Sequence, residues 1–440
     1  MGTLLVQSGR RLYHRASHQC GWREGDELSR IHLPPALRYP RFRYLWLALI
    51  ISTAGANMQL WALFWHVRTL TPLPIALGGI GLVRILPVIF FSLIGGVAAD
   101  RYNRRKIFFL AQCVLTFVAA MLAWLTFRHS ISLWHIYALT ALQATASAFD
   151  IPARQALVPN LVPAKDLPNA FSLSSIAFQV GAIVGPALGG WTIAVWGQAY
   201  PYLINAISYG AVLFAIWRMG PVPQQRIQTR RPLWDWQAIR EGWAFILGQP
   251  LILASMLLDF FATFFSSANT LMPIVARDVL GVGEIEYGWL SSAQAIGAVL
   301  AGLVVSQLGE VRRQGPLFLL SVICFGLATI LFGVARVFWL AMLALILVGA
   351  ADAVSTIIRN TIRQLLTPDH LRGRMVSVNQ IFFLGGPQLG EVEAGVVAQL
   401  FGAPFAIVSG GIGCLLAVAW VVRRWPLLWS VDRVEQATGG

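Results

Sequence analysis

Residues 74–106 read PIALGGIGLVRILPVIFFSLIGGVAADRYNRRK, and their reading decides the fold class. From Leu77 to Val97 the only charge is Arg84. An apolar run of about 20 residues is what a helix needs to cross the hydrocarbon core of a bilayer. No strict apolar/polar alternation is present, so an outer-membrane strand is not expected. A helix satisfies its own backbone in lipid, and this run is therefore read as a membrane helix. Asp100, Arg101, Arg104, Arg105 and Lys106 follow at once, and such a basic cluster marks the cytoplasmic face.

The rest of the chain repeats this pattern. Of 440 residues, 57% are hydrophobic and 12% charged, half of the roughly 25% carried by soluble domains. That excludes a soluble enzyme, a disordered chain and an ordinary nucleic-acid-binding domain. Twelve apolar stretches are predicted as spans: 44–67, 77–97, 106–127, 132–152, 170–196, 199–219, 250–275, 286–308, 316–334, 336–357, 376–400 and 402–422. The predicted class is all-α integral membrane. A net charge of +14 would ordinarily suggest an anionic partner, but its placement gives another reading. With a cytoplasmic N-terminus, 28 of the 33 Lys+Arg residues fall on the cytoplasmic side, including Arg359 and Arg363 in the connection after span 336–357. Only Arg68, Arg128, Arg277 and Arg336 fall opposite. Both termini are expected to be cytoplasmic, and some basic residues to touch anionic lipid. No nucleic-acid partner is expected.

An internal repeat divides the chain. An offset of 205 aligns Arg154 with Arg359, Pro163 with Pro368, Gly181 with Gly386, Gly185 with Gly390, Gly190 with Gly395 and Gly197 with Gly402. The expected organisation is a cytoplasmic extension (1–43), a six-helix bundle (44–219), a cytoplasmic linker (220–249), a second six-helix bundle (250–422) and a cytoplasmic tail (423–440). Two halves around a central cavity suggest a transport path.

Two motifs carry a family resemblance. Gly96-x-x-x-Asp100-Arg101-x-Asn103-Arg104-Arg105 resembles motif A of the major facilitator superfamily (MFS), with Asn103 where the family has Gly. Asn tolerates a positive-φ turn, so that turn is expected here. Gly181, Gly185, Pro186, Gly189 and Gly190 resemble the exporter-associated motif C, whose first Gly is replaced by Ser172. The arginine of motif B is missing. Residues 257–261, 352–374 and 388–395 are similar to the exporter subfamily that includes the bacterial enterobactin exporter. The resemblance implies an MFS fold, with 12 transmembrane helices in two pseudo-symmetric halves. It further implies a proton-coupled exporter of a small siderophore- or drug-like solute in a bacterial inner membrane. A solute importer of the same fold is the alternative, and a non-transporting sensor or scaffold the third reading.

Charges inside spans are costly and mark functional candidates. They are Arg84, Asp259, Asp352, Glu391 and Glu393. Asp259 is expected to exchange protons or, on the plainer reading, to hold helices together. Glu391 replaces Pro186 in the repeat, and its ion pair, if it has one, could be with Arg84. Arg101, Arg104 and Arg105 are expected to pair with Asp150 and latch the halves. The Phe260–Phe261 and Phe264–Phe265 stripe packs helices or lines an aromatic pocket, and Trp61, Trp65, Trp191 and Trp196 are expected at the interface. Gly78-Gly-x-Gly81 has no preceding strand or following Lys-Ser/Thr, so it is not a nucleotide loop. No catalytic set, metal site or cofactor is expected, and the four cysteines are read as packing residues. The proton motive force is the expected energy source and a monomer the expected state.

Overall fold

The computed structural model describes residues 34–224, 236–266, 269–307, 313–368 and 371–429. Cys20, Trp234, Arg312, Arg433 and the basic residues before 34 lie outside the described residues, as do the side chains of Asp100, Trp236, Arg372 and Arg374.

The described residues form helices and no strands. They are α1 (Pro40–Leu70), α2 (Pro74–Arg101), α3 (Arg104–Phe127), α4 (Leu133–Leu157), α5 (Leu167–Trp196), α6 (Tyr200–Met219), α7 (Trp236–Gly248), α8 (Pro250–Phe265), α9 (Glu284–Gln307), α10 (Gln314–Val334), α11 (Phe338–Leu366), α12 (Arg372–Phe401) and α13 (Ala403–Arg424). Proline opens α1, α2, α5, α6, α8 and α13, where its missing N–H costs nothing. Gly197 (φ 98°) ends α5 and Gly402 (φ 89°) ends α12, so this aligned pair does the same work twice.

Among the described residues, ten helices are long and apolar enough to cross a membrane. The exceptions among the longer ones are α4 and α12. Both are diluted by polar residues, with Gln143, Asp150 and Arg154 in α4 and Gln388, Glu391 and Glu393 in α12.

Three expectations need correction. First, the span at 336–357 continues as helix to Leu366, which takes Arg359 and Arg363 out of a loop and into α11. Second, the span at 250–275 is interrupted. After Phe265 come a 3₁₀ turn (Asn269–Leu271), three helical residues (Met272–Ile274) and a π-turn (Val275–Val279). Third, Asn103 has φ −68° and is not a positive-φ turn. It is the N-cap of α3, and its Oδ1 accepts from the Lys106 backbone N–H at 3.2 Å.

Contacts repeat between the two sets of helices. α1 packs on α5 and α6, α2 on α4, and α3 on α4 and α6. α8 packs on α12 and α13, α9 on α11, and α10 on α11 and α13. The aligned glycines explain part of this: a side chain on Gly181 or Gly185 would strike Thr53 or Ala54 of α1, and one on Gly386 or Gly390 would strike Thr263 or Phe264 of α8. Between the sets, α2 meets α12 and α5 meets α9.

The apolar core shows where the sets join. One cluster mixes both, from Ala62 and Leu77 to Tyr287 and Ala398. Two others stay within a single set, Leu45 to Met219 and Leu251 to Val421. The separate clusters lie toward the end that carries Arg104, Arg105, Arg154 and Arg218, here called the basic end. The shared cluster lies toward the opposite end. The two sets therefore meet at the opposite end and keep separate cores at the basic end.

Candidate functional site

At the α2–α12 seam, glycine permits near-contact of backbones. A Cβ on Gly78 would stand 3.0 Å from Gly395 Cα, and one on Gly81 would stand 2.7 Å from the Gln388 carbonyl oxygen. The Gly78-Gly-x-Gly81 run is thus a helix-packing surface. One turn further, Arg84 Nη1 stands 3.8 Å from Glu391 Oε1. The structure thus brings together two candidates that sequence could not pair. Glu391 is 5% exposed, and its Oε2 receives no hydrogen bond among the described residues. Glu393 is half-buried.

At the α5–α9 seam the polar contact is neutral. Ser292 Oγ donates to the Ile183 carbonyl at 2.7 Å, and Gly190 packs on Gly288. Nearer the opposite end, Arg68 holds Asp278 through contacts of 2.7, 3.0 and 3.2 Å. Tyr287 donates its hydroxyl to the Trp61 carbonyl at 2.8 Å and packs against the Trp65 ring. Trp61 and Trp65 therefore serve the joint between the sets, whereas Trp191 and Trp196 are exposed and pack edge to face on each other. The polar links named here between 34–224 and 250–429 lie in the half away from the basic end.

Asp259 belongs to a different site. It is 2% exposed and lies between two arginines of α11, Arg359 (3%) and Arg363 (2%). Arg359 Nη1 is 2.9 Å from Asp259 Oδ1, and Arg363 Nη2 is 3.5 Å from Oδ2. Both carboxylate oxygens lie within ion-pair distance of a guanidinium, so the attraction is chiefly Coulombic. The guanidinium hydrogen bonds go elsewhere: Arg363 donates to Ser255 Oγ at 3.0 Å, to the Ser255 carbonyl at 2.9 Å and to Asn379, and Arg359 donates to Ser355 Oγ on α11 at 3.1 Å. Asp352 is 3.6 Å from the same Arg359 Nη1, with a side chain 46% exposed. The geometry is that of a charge cluster tying α8, α11 and α12. Sequence reading could not find it because Arg359 and Arg363 were placed in a loop.

Two motif A arginines make bonds within their own set. Arg104 donates to the Ala156 carbonyl and Asn160 Oδ1, and Arg105 to the Ile216 carbonyl. Asp150, expected to receive them, instead accepts from Gln112 at 2.7 Å and faces Arg154 at 3.8 Å. The physical reason is reach, since Arg154 sits one helical turn from Asp150 on α4 itself. A side chain on Gly95 would strike the Ala148 carbonyl, whereas Gly96 has open space. The close-approach glycine is Gly95.

Motif C divides its work. Gly181, Gly185 and Pro186 are buried, the first two facing α1, while Gly190 faces α9 and Gly189 lies beside Met58. The phenylalanine stripe packs: Phe260 stacks on Phe264 and meets Phe382, and Phe261 meets Trp420.

A polar ladder escaped the sequence reading. Asn205 donates to Gln59 at 2.8 Å, and Gln59 to Gln143 at 2.7 Å, joining α6, α1 and α4. The signal was present, since an amide inside an apolar span needs a partner. Buried His66 finds one in Tyr202, at 3.0 Å. Cys113, Cys324 and Cys414 are free thiols, and no group of three metal-ligating side chains occurs among the described residues.

Two seams in a repeated helix arrangement, joined at one end, point to a known architecture. A family model described as a transmembrane secretion effector matches residues 33–436. The chain belongs to this family of the major facilitator superfamily. Similar proteins include the enterobactin exporter EntS of Shigella boydii serotype 4 (strain Sb227), 27% identical over 381 residues, covering 86% of this chain and 90% of the relative. EntS of Escherichia coli O81 (strain ED1a) matches to the same extent. Among solved structures, a bacterial homolog of the human lysosomal transporter Spinster, inward-facing and unoccupied, superposes with a TM-score of 0.68 at 16% identity, covering 91% of this chain and 98% of that one. The E310Q mutant of a peptide transporter POT gives 0.69 at 13% identity, covering 88% and 95%. These structural matches concern the MFS fold. The chain is a multi-pass membrane transporter of this superfamily.

Proposed function

We propose that this protein is a secondary active exporter of a small organic solute, siderophore-like or drug-like, driven by proton entry. In this reading twelve helices cross the membrane, α1–α6 and α8–α13, as two pseudo-symmetric halves. The chain works as a monomer in a bacterial inner membrane. The basic end is cytoplasmic, with both termini, because positive charge concentrates there. Moving Arg359 and Arg363 into α11 still leaves 26 of the original 28 basic residues against 4.

One observation carries the proposal: among the described residues the two sets share a core at one end and keep separate cores at the other. That is the inward-open half of an alternating-access cycle. Solute enters between the sets from the basic end, the basic end closes, and the opposite end opens. Motif A, with Gly96, Asp100, Arg101, Arg104 and Arg105, is the proposed gate at the basic end. Asp259, Asp352, Glu391, Glu393 and Arg84 are the candidates for coupling or solute binding. Export is supported by the similarity to EntS over most of both chains.

The test is reconstitution in vesicles with a pH gradient and a panel of siderophores, dyes and antibiotics. Gradient-driven movement out of the cytoplasmic side is expected. Movement only in the opposite direction would establish import instead, and no gradient dependence would refute coupled transport.

A further inference from the structure

The two seams occupy equivalent places but carry different chemistry. In the repeat, Gly190 of α5 corresponds to Gly395 of α12, and each meets a glycine of the other set, Gly288 and Gly78. One turn away, Pro186 corresponds to Glu391. At the first seam the Pro186 carbonyl faces Gly288, and a Cβ there would stand 2.7 Å from it. At the second, the Glu391 carbonyl takes that place, 2.9 Å from a Cβ on Gly78, and the Glu391 side chain lies one turn on over Gly81, where a Cβ would stand 2.8 Å from Glu391 Cβ and 2.9 Å from Oε2. The only charge that α2 brings to it is Arg84. Both residues lie about ten positions from the opposite end of their helices, or about 15 Å deep at 1.5 Å per residue.

We propose that the α2–α12 seam is the titratable clasp of the transporter, with Glu391 as the proton site and Arg84 as its positioning partner, while the α5–α9 seam is held by uncharged packing and is indifferent to protons. This inference rests on the proposed alternating-access reading and names the place where the proton acts.

Three features carry it. The pair spans the two sets, so their separation must break it. Glu391 is buried and Oε2 is unserved by any hydrogen bond among the described residues, so the carboxylate is balanced by one guanidinium at 3.8 Å and little else. A proton there would remove the charge that Arg84 attracts without displacing any other bond.

Among the described residues, no neighbouring element supplies a competing group at this level. On α8, Asp259 is turned to Arg359 and Arg363. The segment Asn269–Leu271, packed on both α2 and α12, carries no titratable side chain. On α13, Cys414 faces the Val322 carbonyl, and Arg423 and Arg424 lie at the basic end. Arg240 and Glu241 of α7 lie at the basic end as well. On α12 itself, Glu393 is two positions on and points to another side of the helix. Asp259, by contrast, lies within one set, and separating the sets does not break its ion pairs.

The test reads conformation rather than transport. Spin labels replace exposed Leu73, the N-cap of α2, and Ile285 of α9, both at the opposite end, in a background whose four native cysteines are serine. Their separation is measured from about pH 8 to about pH 5. The ratio of open to closed opposite ends should rise as pH falls, by at most about tenfold per pH unit, the limit for one proton. Glu391→Gln should fix the ratio toward open and flatten its pH dependence. Glu391→Asp should retain the response, which controls for folding, and Ser292→Ala at the other seam should leave it intact. A wild-type response in Glu391→Gln, or its loss in Ser292→Ala, would overturn the proposal. Gradient-driven transport with pH-insensitive labels would defeat this inference and leave the export reading standing. Responsive labels without transport of any compound would do the reverse.

Discussion

Replacing Asp259 with asparagine should cost stability. Asp259 is the buried counter-charge of Arg359 and Arg363, at 2.9 and 3.5 Å. At an effective dielectric of about 20, Coulomb attraction at these separations is about 6 and about 5 kcal/mol before the cost of desolvation. Removing one member of a buried pair typically destabilises by about 3–5 kcal/mol, because the partner charge stays in place without compensation. With about 2.1 cal/mol/K of unfolding entropy per residue, a 440-residue chain loses roughly 3–5 °C of melting temperature for that change. The measurement is thermal unfolding in detergent, followed by intrinsic tryptophan fluorescence, for Asp259→Asn, Arg359→Gln and the double variant. The double variant restores charge balance among Asp352 and Arg363, so its loss should fall below the sum of the singles by about 1–3 kcal/mol. Asp352→Asn serves as the control: its half-exposed carboxylate should be worth about 1 kcal/mol or less. If Asp259→Asn melts with the wild type, or the two single losses simply add, the cluster is not the structural tie described here.

Further outcomes follow from other contacts. Gly81→Ala places a methyl group 2.7 Å from the Gln388 carbonyl, so α2 and α12 must separate, and the Leu73–Ile285 spin-label distance should lengthen at neutral pH. Arg68→Ala removes a partly exposed pair with Asp278, 17% and 38% accessible, and should change unfolding stability by about 1 kcal/mol or less. Asn103→Ala removes the cap of α3 and should cost about 1 kcal/mol in the same unfolding assay, whereas Asn103→Gly should cost only a few tenths. Asp100→Asn should lower transport without reversing orientation, as read by labelling of single cysteines from either side; a reversed orientation would reduce motif A to a topological signal.

The sequence was a good guide wherever a rule acts locally. Span lengths, the proline-led helix starts and the aligned Gly197 and Gly402 depend on residues within a few positions, and all are visible in the chain. Asn103 was recognised as special but given the wrong geometry, because a helix cap and a positive-φ turn favour the same side chain. The interruption after Phe265 was invisible, since no glycine or proline lies between Asp259 and Leu271 to announce it. Arg359 and Arg363 were misplaced because a membrane helix and its exposed continuation read alike, and only the burial by Asp259, Ser255 and Asn379 tells them apart.

By itself, the sequence determined that this is a helical membrane protein of repeated design, which side its positive charge favours and which few charges sit where charge is costly. Apolar length, charge asymmetry and repeat spacing are one-dimensional properties. The partners of those charges were decided by the tertiary structure alone. Arg84 and Glu391 are 307 positions apart and meet because glycines let α2 and α12 touch. Asp259 lies 100 positions from Arg359 and meets it because α8 and α11 enclose them together. Charge attraction acts through space, and its pairing becomes fixed only when helix packing sets the distances.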